Sequence, residues 1–336
     1  MAETRLTDVV TKDVAEYLAG YMTEQSIYKS ALYKSGLLVR TAELDSFLDG
    51  AGRTFNIPFW DMLAEGNVRV PSESADITVD NLTSDKMVAV RHIQEKAWGA
   101  NAISNIFAGE DPMGGLVGKL EEYWNRRLQK YVVASIVGVI ADNVANDSSD
   151  MVNDVSAAAS PFDDDNLINS ENIIDSVALH GDMMGDFVAI AMHSVPYARL
   201  SKRNLIDMEP DNVQNIGFGT YLGMTVIVDD TLTAEAVTGG YRYWTILYKR
   251  GSMGYGESQR GITVLETYRN PRQGGGVDEL YSRKQFIIHP QGFAWQDPGS
   301  GTITIAPSIA NLETAAYWDR VFNLKNTGFV VLKTNG

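Results

Sequence analysis

The chain has 336 residues, 44% hydrophobic and 21% charged, with a formal charge of −15 and no cysteine. These values describe an ordinary globular chain and exclude extensive disorder, any disulfide or cysteine-based metal site, and nucleic-acid binding that rests on an overall cationic surface. The start, Met1-Ala2-Glu3-Thr4-Arg5-Leu6, lacks a basic stretch followed by an apolar run, and no run reaches the ~18 apolar residues of a membrane span. Synthesis in a cytoplasm, with no membrane partner, is the expectation.

Residues 1–50 read as an arm. Val10, Val14, Tyr17, Leu18 and Tyr21 recur at helical spacing and predict a short amphipathic helix. So isolated a helix must dock on the main body or on a neighbour. Residues 53–85 alternate at the strand period. Thr54 to Trp60 predicts a strand near a sheet edge, because Pro58 cannot donate to a central ladder. Val68-Arg69-Val70 and Asp76 to Val79 predict the two arms of an extended ribbon, which needs a partner surface. Lys86 to Arg91 reads as a strand, and Trp98 to Phe107 as a helix ending at Gly109.

Asp111-Pro112 then opens the longest element. Leu116, Leu120, Trp124, Leu128, Tyr131, Ser135 and Val139 form one stripe, and the pattern runs to about Asn146. That predicts a helix of about 50 Å. Gly118 and Gly138 each weaken it by about 1 kcal/mol relative to alanine. Without paired flanking charges a coiled coil is disfavoured, and a helix lying across a sheet is expected.

Residues 147–170, rich in Asp, Ser and Asn, read as a linker. Helix, strand and helix follow at Glu171–Leu179, Phe187–His193 and Pro196–Asn204. Strands are expected at Met224–Asp229, Tyr243–Tyr248, Ile262–Tyr268 and Gln285–Trp295, the last two flanking Gly274-Gly275-Gly276. The chain closes with a strand at Thr302–Ile305, a helix near Leu312–Trp318 and a strand at Gly328–Lys333. The fold class is α+β with segregated pieces.

Chemical motifs are sparse. His92, His180, His193 and His289 stand in no metal-ligand spacing. Ser194 and Ser201 lack a nucleophile-elbow context. The Gly274–Gly276 segment lacks the tail of a phosphate loop and reads as a hairpin tip. Asp163-Asp164-Asp165 reads as a solvated loop, and Asp229-Asp230 as a turn. No catalytic, cofactor-binding or metal residue is assigned, and no enzyme activity is expected. An arm, a projecting ribbon and a very long helix instead point to obligate assembly.

The order of these parts resembles the HK97-fold major capsid proteins of tailed bacteriophages over nearly the full length. The resemblance is carried by Ser26–Gly36 leading into Gly52–Trp60, by Lys96-Ala97-Trp98 through Asp111-Pro112 to Tyr123-Trp124, and by His193–Leu200 followed by Thr220–Asp230. It ends with His289–Trp295 and Trp318-Asp319-Arg320. The resemblance implies an N-terminal arm (1–50), an E-loop (51–85), a peripheral domain with a long spine helix (86–165 and 262–298) and an axial domain (166–261 and 299–336). It implies self-assembly through hexamers and pentamers into an icosahedral head that encloses double-stranded DNA in the virion. Implied partners are a separate scaffolding protein, a portal protein and a decoration protein. Encapsulin-like nanocompartments share the fold and are the first alternative; a carbohydrate-binding or adhesin module is the second. The family's type member crosslinks an E-loop lysine to a neighbour's asparagine. Residues 53–85 contain no lysine, so no covalent chainmail is expected. The chain is also expected to be used uncleaved, since the arm helix follows Met1 closely.

Overall fold

The computed structural model describes residues 32, 35–63, 66, 68, 70, 71, 79–102, 112–203, 219–272, 275–297, 303 and 305–336. The expected arm helix, residues 103–109 and the Asp111 cap lie outside them. In chain order come β1 (Leu38–Arg40), α1 (Ala42–Asp49), β2 (Thr54–Trp60), β3 (Ser84–Asn101), α2 (Pro112–Asn146) and β4 (Val152–Asp154). Next are α3 (Ser170–Ala178), β5 (Phe187–Met192), α4 (Ser194–Lys202), β6 (Thr220–Tyr221), β7 (Met224–Val228), β8 (Ala234–Val237) and β9 (Gly240–Lys249). The remainder is β10 (Met253–Glu257), β11 (Leu265–Asn270), β12 (Val277–Pro290), β13 (Phe293–Trp295), α5 (Ile309–Leu312), β14 (Trp318–Arg320) and β15 (Phe329–Asn335).

Two sheets share α2. The first has the order β1-β10-β12-β3-β2, with β11 also paired to β12. The second has the order β4-β15-β9-β5-β7-β6, with β8 on β9. In the second sheet successive residues point into different clusters. Ala189 and Ala191 face α2, whereas Ile190 and Met192 face Ile173 of α3 and Leu200 of α4. Burial on both faces explains why β5 reads as an unbroken apolar run and why Val226–Val228 of β7 and Phe329–Leu332 of β15 do so too.

The stripe on α2 supplies Leu128, Tyr131, Val132, Ile136, Val139 and Ile140 to one core shared with both sheets. Each such side chain contributes about 1.5–3 kcal/mol on burial. Trp124 Nε1 donates to Ser282 Oγ at 2.9 Å, and the Tyr131 ring meets Phe286 edge-on at 5.4 Å. Gly138 has a packing reason. A Cβ there would collide with the Leu312 carbonyl oxygen and lie 2.5 Å from the Trp318 indole nitrogen. The α5–β14 segment thus lies flush on the helix, fixed by Trp318 Nε1 donating to Leu312 O at 2.8 Å. One stretch of α2, residues 119–146, is long and apolar enough to cross a membrane, but 67% of its window is buried inside the protein.

On the other face of the first sheet, α1 buries Leu44 and Leu48 against Phe55, Ala89 and Ile287. Arg91 closes that helix: its guanidinium donates to the carbonyls of Phe47, Leu48 and Gly50 and lies 5.1 Å from the Phe55 ring centre. A cation there meets the negative end of the helix dipole.

Several expectations need correction. Residues Trp98–Asn101 are strand, not helix: Trp98 pairs with Leu280 and Asn101 with Val277. A long ladder to β12 overrides local helical propensity. The stretch 147–170 is not a free linker. Met151 is fully buried, and β4 runs parallel to β15 with Val152 opposite Val331. Val68 and Val70 are not in strands, and residues 76–78 lie outside the described set. The strand expected from Ile262 starts at Leu265. The one expected from Gln285 starts at Val277 and breaks at Gln291-Gly292, where Gly292 takes φ +88°. Ile303 and Ile305 are not in a strand, and the helix expected near Leu312–Trp318 is split into α5, a 3-10 turn Ala315–Tyr317 and β14.

Candidate assembly surface

The ribbon begins on β2, which among the described residues pairs only with β3 and forms the edge of its sheet. Pro58 sits opposite Lys86, where the missing N–H costs nothing. The ladder ends with Asp61 N donating to Thr83 O at 3.0 Å. The base is anchored to the body. Phe59 packs edge-on against Phe322, with ring centres 4.8 Å apart. Arg53 donates to Ile303 O and pairs with Asp297.

Beyond that anchor, among the described residues, apolar side chains face solvent. Trp60 is 69% exposed, Met62 79% and Val68 99%, and Leu63, Val70, Val79 and Leu82 are exposed too. A monomer rarely leaves so large a row uncovered unless a partner takes it. The Trp60-Asp61-Met62-Leu63 run breaks strand alternation, and that break was the sequence signal for this patch.

The residues weighed as chemical candidates pack as follows within the subunit. His92 is fully buried, stacked on Phe286 and edge-on to Tyr131, and burial pushes it down to about 3. His289 is pushed down to about 4 by burial. His180, whose Nε2 lies 3.3 Å from Thr327 Oγ1, is also lowered to about 4, first by burial and then by Lys249. His193 caps α4, its Nδ1 accepting from Val195 N at 3.3 Å.

Ser194 Oγ and Asp230 Oδ1 each lie 3.3 Å from His193 Nδ1. A catalytic triad needs serine and carboxylate on opposite ring nitrogens, so this grouping cannot relay a proton. Asp230 accepts from Ser194 N at 2.9 Å. Asp229 forms the expected turn, accepting from Thr231 N and Thr231 Oγ1, and also accepts from Gln129 Nε2. Ser201 lies on α4.

Asp163–Asp165 is more than a solvated loop. Asp164 is clamped by Arg199 and Arg203, which holds its carboxyl below the usual range. Gly275 and Gly276, both with positive φ, stand in the β11–β12 hairpin turn. Beside the C-terminal end of α2, burial raises Asp142 to about 6. Arg320 there pairs with Asp147 and Asp150. Among the described residues no group of three His, Asp or Glu side chains is placed to hold a metal ion.

Comparison with known proteins gives consistent matches. Residues 52–331 match the Gp13-like family model, described as major capsid protein 13-like. The chain is 30% identical over 336 residues to the major capsid protein of Bacillus phage SPP1, covering 99% of this chain and 98% of that one. Among solved structures, the Cyanophage Pam1 capsid asymmetric unit aligns with TM-score 0.60 at 10% identity, covering 96% of each chain. The capsid of Ralstonia phage GP4 aligns with TM-score 0.56 at 10% identity over 98% of each.

Proposed function

From the premise that this chain belongs to the major capsid protein 13-like family, and is a structural protein of the bacteriophage capsid with the HK97-type fold, we propose how it builds the head shell. The family sets aside the nanocompartment and adhesin alternatives.

The ribbon at 53–83 is the reaching element. It lays its exposed apolar row on a neighbouring copy, and the single observation that supports this is the solvent exposure of Trp60, Met62, Leu63, Val68, Val70, Val79 and Leu82. Burying one such side chain yields about 1.5–3 kcal/mol, so several together hold subunits without a covalent link. With no lysine in 53–85 and no cysteine, denaturing gels of particles should give a single band near 36.9 kDa.

Copies close into hexameric and pentameric rings by heterologous contacts. The contact energies of the two rings differ little, so a separate scaffolding protein biases curvature. A portal protein at one vertex and a decoration protein on the outside complete the partners. Packaged double-stranded DNA is held without sequence-specific contact, which the −15 charge favours by preventing adhesion to the lining. No catalytic, cofactor or metal residue takes part.

The domain division follows the two sheets. The first sheet and α2 belong to the peripheral domain, and the second sheet to the axial domain. This assigns β4 to the axial side and β10 to the peripheral side, which shifts the boundaries expected at 165 and 261.

Replacing residues 62–82 with a short Gly-Ser turn tests the ribbon. Electron microscopy should show no closed shells, while the soluble body keeps its melting temperature. Normal shells from this variant would refute the proposal.

A further inference from the structure

The turn Leu222-Gly223 breaks a local rule. β6 and β7 pair as Thr220 with Thr225 and Tyr221 with Met224, so two residues close the hairpin. Both have positive φ, 49° and 78°. A type I′ turn requires this, and Asn-Gly is its favoured pair. Leucine is a poor choice there, because bulky side chains avoid the left-handed region. Its side chain is not repaid by burial either, for it is 52% exposed. A half-exposed residue that defies its local preference is placed for contact outside its own chain.

Other apolar side chains gather at the same end of the sheet. β5 runs parallel to β7 with Ala189 opposite Thr225. Val188 and the 3-10 turn Gly181–Asp186 that feeds β5 therefore lie at the end closed by Leu222-Gly223. Val188, Met183 and Met184 are all exposed. Val188 stands in the bulge between Phe187 and Ala189, where the sheet register shifts. The acids of that turn are paired: Asp182 with Lys325 at 2.6 Å and Asp186 with Lys249 at 3.6 Å. Exposed apolar side chains thus stand at one end of the sheet, beside charges that are already matched.

We infer that Met183, Met184, Val188 and Leu222 form a self-association surface, occupied by a second copy of this chain. The choice of occupant rests on the ring assembly proposed above. One subunit must meet its neighbour at different angles in five- and six-fold rings. Methionine is unbranched and repacks readily, so a methionine pair beside a leucine knob tolerates that change of angle. Among the described residues β6 is the last strand of its sheet. None of the four side chains offers a strong hydrogen bond or a charge to a polyanion.

Peroxide footprinting of the wild-type protein, read by mass spectrometry, tests the surface. Oxidation is followed at Met62, Met183, Met184 and the buried Met151 in shells, with the guanidinium-unfolded chain as the full-rate reference. Met183 and Met184 should oxidise roughly tenfold more slowly in shells than in the unfolded chain. Oxidation at the unfolded rate overturns the surface. Equal protection in a monomeric species does so too, since the chain would then cover these residues itself. Met62 reports the ribbon contact separately in the same spectra, so the two proposals fail independently. Leu222→Asn gives a second measurement. The unassembled variant should keep or raise its melting temperature while shell yield falls severalfold. A lower melting temperature would place Leu222 in its own subunit's packing and overturn the inference, as would an unchanged shell yield.

Discussion

At Gly138 there is no room for a methyl group between α2 and the Leu312 carbonyl, whereas Val68 in the ribbon keeps 99% of its surface in solvent. Both regions are rich in apolar side chains. In the body these fill one shared core, and the fit is tight enough that a glycine is needed in mid-helix. In the ribbon they have no partner within the subunit. The first arrangement gives the body its core; the second leaves apolar surface uncovered within the subunit. Apolar surface in this chain therefore does two jobs, and location decides which.

The contrast can be broken most severely at Gly138. Gly138→Val should abolish folding of the body, and Gly138→Ala should cost about 3 kcal/mol or more, because backbone rather than a flexible side chain obstructs the Cβ. Urea unfolding of the soluble chain measures this. A Gly138→Ala variant as stable as the wild type would show that the α5–β14 segment moves freely. In the ribbon the opposite pattern is expected. Trp60→Ser with Met62→Ser and Leu63→Ser should leave body stability within about 0.5 kcal/mol and prevent shell closure, as seen by electron microscopy. A large fall in body stability would mean that these residues pack within their own subunit.

Acid should sharpen the difference, because residues 53–83 carry no histidine. His92, His180 and His289 have folded pKa values of about 3, 4 and 4, below the ordinary 6.5. Below pH 6.5 the unfolded chain binds their protons and the folded chain does not, so stability falls as pH drops toward 4. Asp142, raised to about 6, and Asp229, also raised by burial, act in the opposite sense over part of the same window. Three histidines against these two carboxylates leave a net loss of at most about 3 kcal/mol per pH unit between 6 and 4. Melting temperatures across pH 7 to 4.5 check the sign; a flat profile would show these sites open to water. The smallest effect is expected from His92→Phe, which should flatten this acid loss by about 1.4 kcal/mol per pH unit, since an apolar ring then lies between Phe286 and Tyr131.

Much of this fold was legible in the sequence. The α2 stripe gave the helix from Pro112 to Asn146, and Pro58 correctly marked β2 as an edge. What escaped notice was set by distant partners. Trp98–Asn101 carries no strong strand signal and becomes strand because β12 lies beside it. Val152–Asp154, in a polar stretch, is drawn into a sheet by β15, more than a hundred residues later. Gly138 read as a local weakness because the segment packed on it arrives from residues 312–318. The proposed assembly surface falls on the ribbon that the sequence reading expected to need a partner. Which side chains it exposes depends on where the β2–β3 ladder stops, at Asp61 and Thr83, and the break in alternation at Trp60–Leu63 is the one mark of it in the sequence.

The ladder itself has a mechanical consequence. β3 runs from the ribbon's base at Ser84 into the body at Asn101, paired with β2 on one side and with β12 from Arg91 to Asn101 on the other. A pull on the ribbon directed along β3 loads these backbone hydrogen bonds in shear, all at once, rather than peeling them singly. Each bond has a net worth of only about 0.5–1.5 kcal/mol, yet bonds sharing a load must fail together. With the ribbon seated on a neighbour as proposed, outward pressure on a filled shell would be carried from subunit to subunit as tension along strands, with the soft apolar contact at one end and a long, stiff ladder at the other.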